Sequence, residues 1–197
     1  RVEDVALGAG FPADAQNEDQ LGRLQMSSVG LDGSTPATYE EVMSFGTRSF
    51  SIWDGATGAL VWDSGDFFEQ FTANLSLTDV DGNPVFNSDN DGNDSFDSRS
   101  DAKGPEPEAL VIGQIYHNTL AFVGLERIGG IMVFDITDPT SPFFLDYLLD
   151  RDFTVAADSI AAGDIGPEGL IFVTPQESPF GRFGLVVANE VSGSTSW

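Results

Sequence analysis

Four glutamates recur at matching places in two similar segments of the chain. Glu108 and Glu168 each follow a proline and open an apolar run, and Glu126 and Glu190 each end the next apolar run. Carboxylates that converge need a cation, because like charges a few Å apart repel. Calcium suits them, since it takes roughly six to eight oxygen ligands. The repeated glutamates therefore predict a calcium site, with the alternative that each caps backbone groups or pairs with an arginine.

A second source of carboxylates is the polar stretch Thr78–Asp101, which contains the run DNDGND. Its alternating acids Asp89, Asp91 and Asp94 offer side-chain oxygens, and Gly92 permits a sharp turn. The spacing does not fit an EF-hand loop, because the terminal glutamate is not in place. The run predicts a calcium-ordered loop, and the alternative is a flexible, solvated loop.

The segment Asp97–Glu108 mixes charges of both signs, and Arg127 directly follows Glu126. Basic side chains beside clustered carboxylates could hold a phosphate bridged by metal, or could form a plain salt-bridged loop. The predicted metal ligands are Asp89, Asp91, Asp94, Asp101, Glu106, Glu108, Glu126, Glu168 and Glu190. The residues predicted to hold a phosphate are Arg99, Lys103 and Arg127.

The composition excludes several classes of function. Asp and Glu number 32 against 8 Lys and Arg, a formal net charge of −24, which repels nucleic acid and fits a saline medium. The chain has no cysteine, so it forms neither disulfides nor zinc–thiolate sites. The one histidine, His117, stands in a predicted hairpin turn and gives little support to a Ser–His–Asp triad. No apolar run is long enough to cross a membrane.

Short strands separated by turn residues must position these groups, since helical periodicity is nearly absent. Arg48–Asp54 and Gly130–Asp135 both read as strands that end in an aromatic residue followed by Asp. We expect Trp53 and Phe134 to pack between sheets and the following Asp to cap the turn.

The repeating unit is a strand that begins with Pro-Glu, a turn, a strand that ends in Glu, a glycine turn and a further strand. This order is typical of a propeller blade. The sequence predicts an all-β fold, a β-propeller fragment of about three blades of four-stranded antiparallel sheets with a long acidic insertion loop. Glutamates at one end of successive inner strands would meet at one mouth of the central channel.

The predicted boundaries follow the repeats. Residues 1–65 form an incomplete blade with strands near Leu21–Ser28, Ser44–Asp54 and Ala59–Ser64; residues 66–107 form the acidic insertion loop. Residues 108–150 form a blade, and residues 151–197 form a final, truncated blade. A closed ring needs about four to eight blades. The expected partners are therefore the remaining blades of the same protein, or other copies in an assembly.

Long stretches of the chain resemble the choice-of-anchor I family of exported bacterial proteins, often labelled alkaline phosphatase-like or esterase-like phytase-like. The matching stretches read RSFSIWDGATGALVWDSGD, SFDSRSDAKGPEPEAL, LAFVGLERIGGIMVFDITDPTSP and GDIGPEGLIFV followed by VVANEVSGSTSW. The resemblance implies an exported β-propeller. It also implies that Glu108, Glu126, Glu168 and Glu190 are the positions where calcium at the channel mouth would hold phosphate. The chain lacks an alkaline phosphatase nucleophile motif.

The sequence therefore predicts a calcium-stabilised, extracellular or cell-surface propeller that acts as a binding or structural module, in a marine or saline bacterium. One alternative is a calcium-dependent phosphoric ester hydrolase acting on phosphorylated small molecules, in which the metal activates water. Another is a subunit of an extracellular filament or shell, in which exposed strand edges pair with neighbours.

Overall fold

Short antiparallel strands make up most of the regular secondary structure of the protein, whose computed structural model describes residues 1–46, 48–93 and 95–197. Within these residues the strands form three sheets, each ordered as in the sequence. The first sheet contains β1 (Ser51–Trp53) and β2 (Leu60–Asp63). The central sheet contains β3 (Pro107–Ile115), β4 (Asn118–Leu125), β5 (Ile131–Asp135) and β6 (Phe143–Leu148). The third sheet contains β7 (Pro167–Val173), β8 (Gly184–Asn189) and β9 (Ser194–Ser196).

Three short helical segments complete the described secondary structure. The α-helix α1 spans Phe67–Ala73, and single 3₁₀ turns span Val2–Asp4 and Ile160–Ala162. The segment predicted as an acidic insertion loop thus begins with a helix. Its aromatic residues Phe67, Phe68 and Phe71 lie one turn apart or adjacent, which places them on the side of the helix that packs against the central sheet.

The sequence repeat has a structural counterpart in the strand pairs β3–β4 and β7–β8. Pro107 lies opposite Leu125 and Pro167 lies opposite Asn189, and the register shifts just after each proline. The Glu126 amide donates to the Glu106 carbonyl (2.9 Å), as the Glu190 amide donates to the Gly166 carbonyl (2.7 Å). The two segments therefore share register, bulge and closing hydrogen bond.

The central sheet is covered on both faces. Phe134 and Met132 of β5 face a core that includes Phe68 of α1 and the aromatic residues around it. On the opposite face, Phe122 and Val133 contribute to a second apolar layer. That layer is completed by partly buried residues of the central and third sheets, among them Val111, Leu170, Phe172, Leu185 and Val187. The third sheet thus packs face to face on the central sheet.

Several details differ from the sequence-based expectation. The central sheet alone among the described sheets has four strands; the first has two and the third has three. The strand expected near Leu21–Ser28 is reduced to a single bridge between Met26 and Ser44. Phe134 is buried as predicted (2% exposed), but the prediction for Trp53 is wrong, since Trp53 is 59% exposed. Among the described residues β1 pairs with β2 alone, so its sheet is too small to enclose the indole.

Candidate metal-binding site

Three carboxylates converge where β3 begins and β4 ends. Glu106 directly precedes β3, Glu108 is its second residue, and Glu126 directly follows β4. Antiparallel pairing of these strands brings the three side chains together, and one oxygen of each lies within 4.8 Å of the others. Glu106 and Glu126 are buried and Glu108 is exposed. We call Glu106, Glu108 and Glu126 the glutamate triad.

Glu106 is the centre of an ion-pair network. Its Oε1 lies 2.5 Å from Arg99 Nη2 and 3.0 Å from Arg127 Nε, and its Oε2 lies 2.7 Å from Lys103 Nζ. The same Lys103 ammonium lies 2.7 Å from Glu108 Oε1. Burial alone would raise the pKa of Glu106, but hydrogen bonds from Lys103, Arg99 and Arg127 outweigh burial and lower the pKa to about 2.

Glu126 behaves in the opposite way. Burial raises the pKa of Glu126 to about 7, and the charges of Glu106 and Glu108 add to the rise, against the opposing charge of Arg127. Arg127 Nη2 lies 3.2 Å from Glu126 Oε1, but the same guanidinium also serves Glu106 and Asp89. Glu126 therefore exchanges between its protonated and ionised forms near neutral pH.

The acidic loop reaches the triad through Asp89 and Asn90. Asp89 Oδ1 accepts from Arg127 Nη1 (3.1 Å), and Asn90 Nδ2 donates to Glu126 Oε1 (3.0 Å). Arg99 Nη1 lies 3.6 Å from the other oxygen of Asp89. The Asp89 carboxylate thus faces guanidinium groups, and Asn90 orients Glu126. The sequence analysis did not single out Asn90, although it stands in the same DNDGND run.

A buried arginine holds this loop in place. The guanidinium of Arg151, only 5% exposed, donates to the carbonyls of Arg127 (2.8 Å) and Asp89 (3.1 Å) and to Asn93 Oδ1 (2.9 Å). It also lies 4.5 Å from the centre of the Phe153 ring. Burial lowers the pKa of Arg151 to about 10, a value at which it stays charged. Sequence reasoning missed Arg151 because nothing in its local pattern distinguishes it.

The remaining predicted ligands lie outside the triad. The Asp101 carboxylate lies 2.8 Å from Arg1 Nη2 and 3.8 Å from Arg23 Nη2, so it ties the first residues of the chain to this loop. Asp91 is exposed on a groove of about 500 Å³ that Asp79, Asp81 and Asp158 also line. Glu168 and Glu190 are exposed and line a separate groove of about 440 Å³. Asp94 lies outside the described residues.

The chemistry available at the triad is cation binding. Glu106 Oε2 is buried and, apart from the contact with Lys103, accepts no hydrogen bond from the part of the chain that the structure describes. Three carboxylates at this spacing can hold a metal ion. All the side-chain oxygens that the triad offers to a metal ion come from carboxylates.

The fold and the carboxylate site define only a broad class of mostly-β proteins. Comparison with known proteins identifies the family. The choice-of-anchor I domain model matches residues 2–139, so the chain belongs to this family, as the resemblance predicted. Within the described residues, no helix is both long and apolar enough to cross a membrane.

Two curated relatives match parts of longer proteins. Gigasin-3a of Magallana gigas is 29% identical over 188 residues, which cover 92% of this chain and 65% of that protein. The mesenchyme-specific cell surface glycoprotein of Strongylocentrotus purpuratus is 33% identical over 132 residues, which cover 63% of this chain and 17% of that protein. The chain thus spans under two thirds of either relative. No solved structure gives a significant match.

Proposed function

We propose that the chain is part of an extracellular or cell-surface β-propeller, a binding or structural module stabilised by calcium at the glutamate triad. The observation that carries the proposal is the triad itself, with two of its three carboxylates buried and their oxygens within 4.8 Å. A relative named as a cell surface glycoprotein supports the location.

The packing of the central and third sheets supports the propeller. Val111 and Phe122 pair across β3 and β4 and face Leu170 and Phe172 of β7. In the repeat that aligns Pro107 with Pro167, Val111 corresponds to Ile171, which pairs with Val186 on the far face of the third sheet. A further sheet of the same kind can continue the stack there, supplied by the remaining blades or by another copy.

Calcium fits the triad better than a phosphate does. Calcium is coordinated in flexible geometry by carboxylates, carbonyls and water. The three glutamates can therefore supply part of its oxygen ligands, and carbonyls or water can supply the rest. Two of the cations that a phosphate would need are already engaged, since Arg99 and Arg127 each lie within 3.0 Å of Glu106 Oε1 and also contact Asp89. The structure therefore favours a binding or structural module over a phosphoric ester hydrolase.

Calcium binding is tested on the intact protein by calorimetric titration and by thermal melting in calcium, chelator or sodium chloride of matched ionic strength. Calcium should raise the melting temperature, because a ligand at a hundredfold excess over its Kd stabilises the folded state by about 2.7 kcal/mol. Sodium chloride should raise it less, since screening supplies no ligands.

The matched variants are Glu108→Gln in the triad and Glu18→Gln on the exposed surface. Glu108→Gln should lose most of the calcium response, and Glu18→Gln should keep it. Equal responses of the two variants would move the site elsewhere, and no calcium response in the unaltered protein would end the proposal. Calcium-dependent cleavage of a phosphate monoester would instead support the hydrolase.

A further inference from the structure

The only lysine of the chain, Lys103, contacts the glutamate triad. Its ammonium bridges Glu106 Oε2 and Glu108 Oε1, at 2.7 Å from each. Those two oxygens belong to two of the three carboxylates that converge there. The ammonium group thus stands where a metal ion bridging the two carboxylates would stand.

The three cations at Glu106 differ in how firmly they are held. Arg99 and Arg127 both approach Oε1 and also contact Asp89, so each guanidinium joins at least two carboxylates across different segments. Among the described residues, only Lys103 approaches Oε2, which otherwise accepts no hydrogen bond from them. The Lys103 side chain is 32% exposed and has a flexible stem, so it can leave towards solvent while both arginines stay.

We propose that Lys103 is a tethered competitor of the metal: its ammonium occupies the cation position in the metal-free protein, and metal binding displaces it. This inference rests on the proposed function, because it assigns the exchange step at the same triad. The exchange replaces one positive charge by two, so the carboxylates gain a stronger partner while the folded metal-free state keeps its own cation. Lys103 thereby stabilises the metal-free fold and weakens the apparent metal affinity.

The test compares calcium affinity in the intact protein and three variants. Lys103→Met keeps the length of the side chain without the charge, and Lys103→Arg keeps the charge. Arg182→Met removes an exposed positive charge and controls for the change in net charge. Lys103→Met should tighten calcium binding by at least about tenfold, which corresponds to about 1.4 kcal/mol. Lys103→Arg and Arg182→Met should change it little.

A second readout needs no substitution. Calcium should increase the acylation of Lys103 by an amine reagent, measured on the peptide by mass spectrometry, because displacement frees the ammonium from its two carboxylates. The control is sodium chloride at equal ionic strength, without any divalent cation, and it should leave the labelling of Lys103 unchanged.

The outcomes separate the two proposals. If the unaltered protein binds calcium at the triad but Lys103→Met binds no more tightly and labelling does not rise, Lys103 is not a competitor and the proposed function stands. If only Lys103→Met binds calcium, the competitor is shown, and calcium stabilisation of the unaltered protein is lost. If neither binds calcium, both proposals are overturned.

Discussion

At the scale of single residues, the acidic side chains have two different roles: some cap turns, and others form the glutamate triad and its ion pairs. Asp54, Asp138 and Asp152 each accept the amide and hydroxyl of a threonine two or three residues later, which lowers the pKa of each. These carboxylates cap turns. The capping role of the Asp after each aromatic strand, predicted from sequence, is confirmed at Asp54 and Asp135. The net charge alone therefore does not measure metal-binding capacity.

Glu126 makes the metal-free protein sensitive to pH. Its pKa rises from the ordinary 4.5 to about 7 on folding, so the folded state holds the proton more tightly than the unfolded chain. The resulting stability is fully present below about pH 4.5 and is lost as the pH rises through about 7. At about 1.4 kcal/mol per pKa unit the loss is at most about 3 kcal/mol. Glu106 acts in the opposite sense and at lower pH, because its pKa is lowered from 4.5 to about 2: its contribution is present above about pH 4.5 and is lost as the pH falls through about 2.

Urea unfolding in chelator between pH 5 and 8.5 measures this effect. The free energy of unfolding should fall with pH in the intact protein, and the fall should be smaller in Glu126→Gln, whose amide does not titrate. His117→Asn removes the one histidine of the chain and should keep the dependence. Parallel curves for Glu126→Gln and the unaltered protein would show that Glu126 titrates normally.

At the scale of strands and helices, residue periodicity predicted the elements that have a clear local sequence pattern and missed those that do not. The Pro-Glu repeats predicted β3–β4 and β7–β8, and the structure gives both pairs the same register. The helix α1 was missed because Phe67, Phe68 and Phe71 stand in seven residues, too short a run for helical periodicity to register. Burial of Trp53 depends on what covers a two-stranded sheet, which no local pattern states.

The same limit applies to the site. The sequence analysis named all three members of the triad, Glu108 and Glu126 from the repeat and Glu106 from the charged segment Asp97–Glu108. The repeat did not separate Glu108 and Glu126 from Glu168 and Glu190, which occupy the equivalent places but line a separate groove. The difference lies in Arg99, Lys103 and Arg127, whose convergence on Glu106 depends on the path of a loop and not on strand periodicity.

The contact between the central and third sheets depends on one glycine. A Cβ at Gly113 would lie 2.3 Å from the ring of Phe172, so any side chain there pushes β3 and β7 apart. Gly113→Ala should destabilise the intact protein by about 1–3 kcal/mol, the usual cost of overpacking. Gly55→Ala, where a Cβ meets no atom within 4 Å, is the matched control. Chemical denaturation compares them, and equal stability of the two variants would mean that the sheets do not approach this closely.

At the scale of the whole molecule, the sheets are stacked face to face. The central sheet uses opposite faces for its two apolar cores, and the third sheet packs on one of these faces. We expect a further sheet to cover the third sheet in the intact protein, because Ile171 on its far face is 62% exposed. Apolar faces of this kind are costly in water. The relatives extend beyond the length matched by this chain, which leaves room for further sheets in such proteins.

Ile171 therefore reports whether another sheet covers this face in the intact protein. Burying an isoleucine is worth about 1.5–3 kcal/mol, and a buried lysine without a partner costs more. Ile171→Lys should lower the free energy of unfolding by at least about 2 kcal/mol. Ile160 is fully exposed in the same half of the chain, so Ile160→Lys should change it by less than about 0.5 kcal/mol. Chemical denaturation measures both, and sedimentation velocity tells whether the covering sheet belongs to the same molecule or to a second copy. If the two lysine variants are equally stable, the face is open in the intact protein and the stack ends at β7–β9.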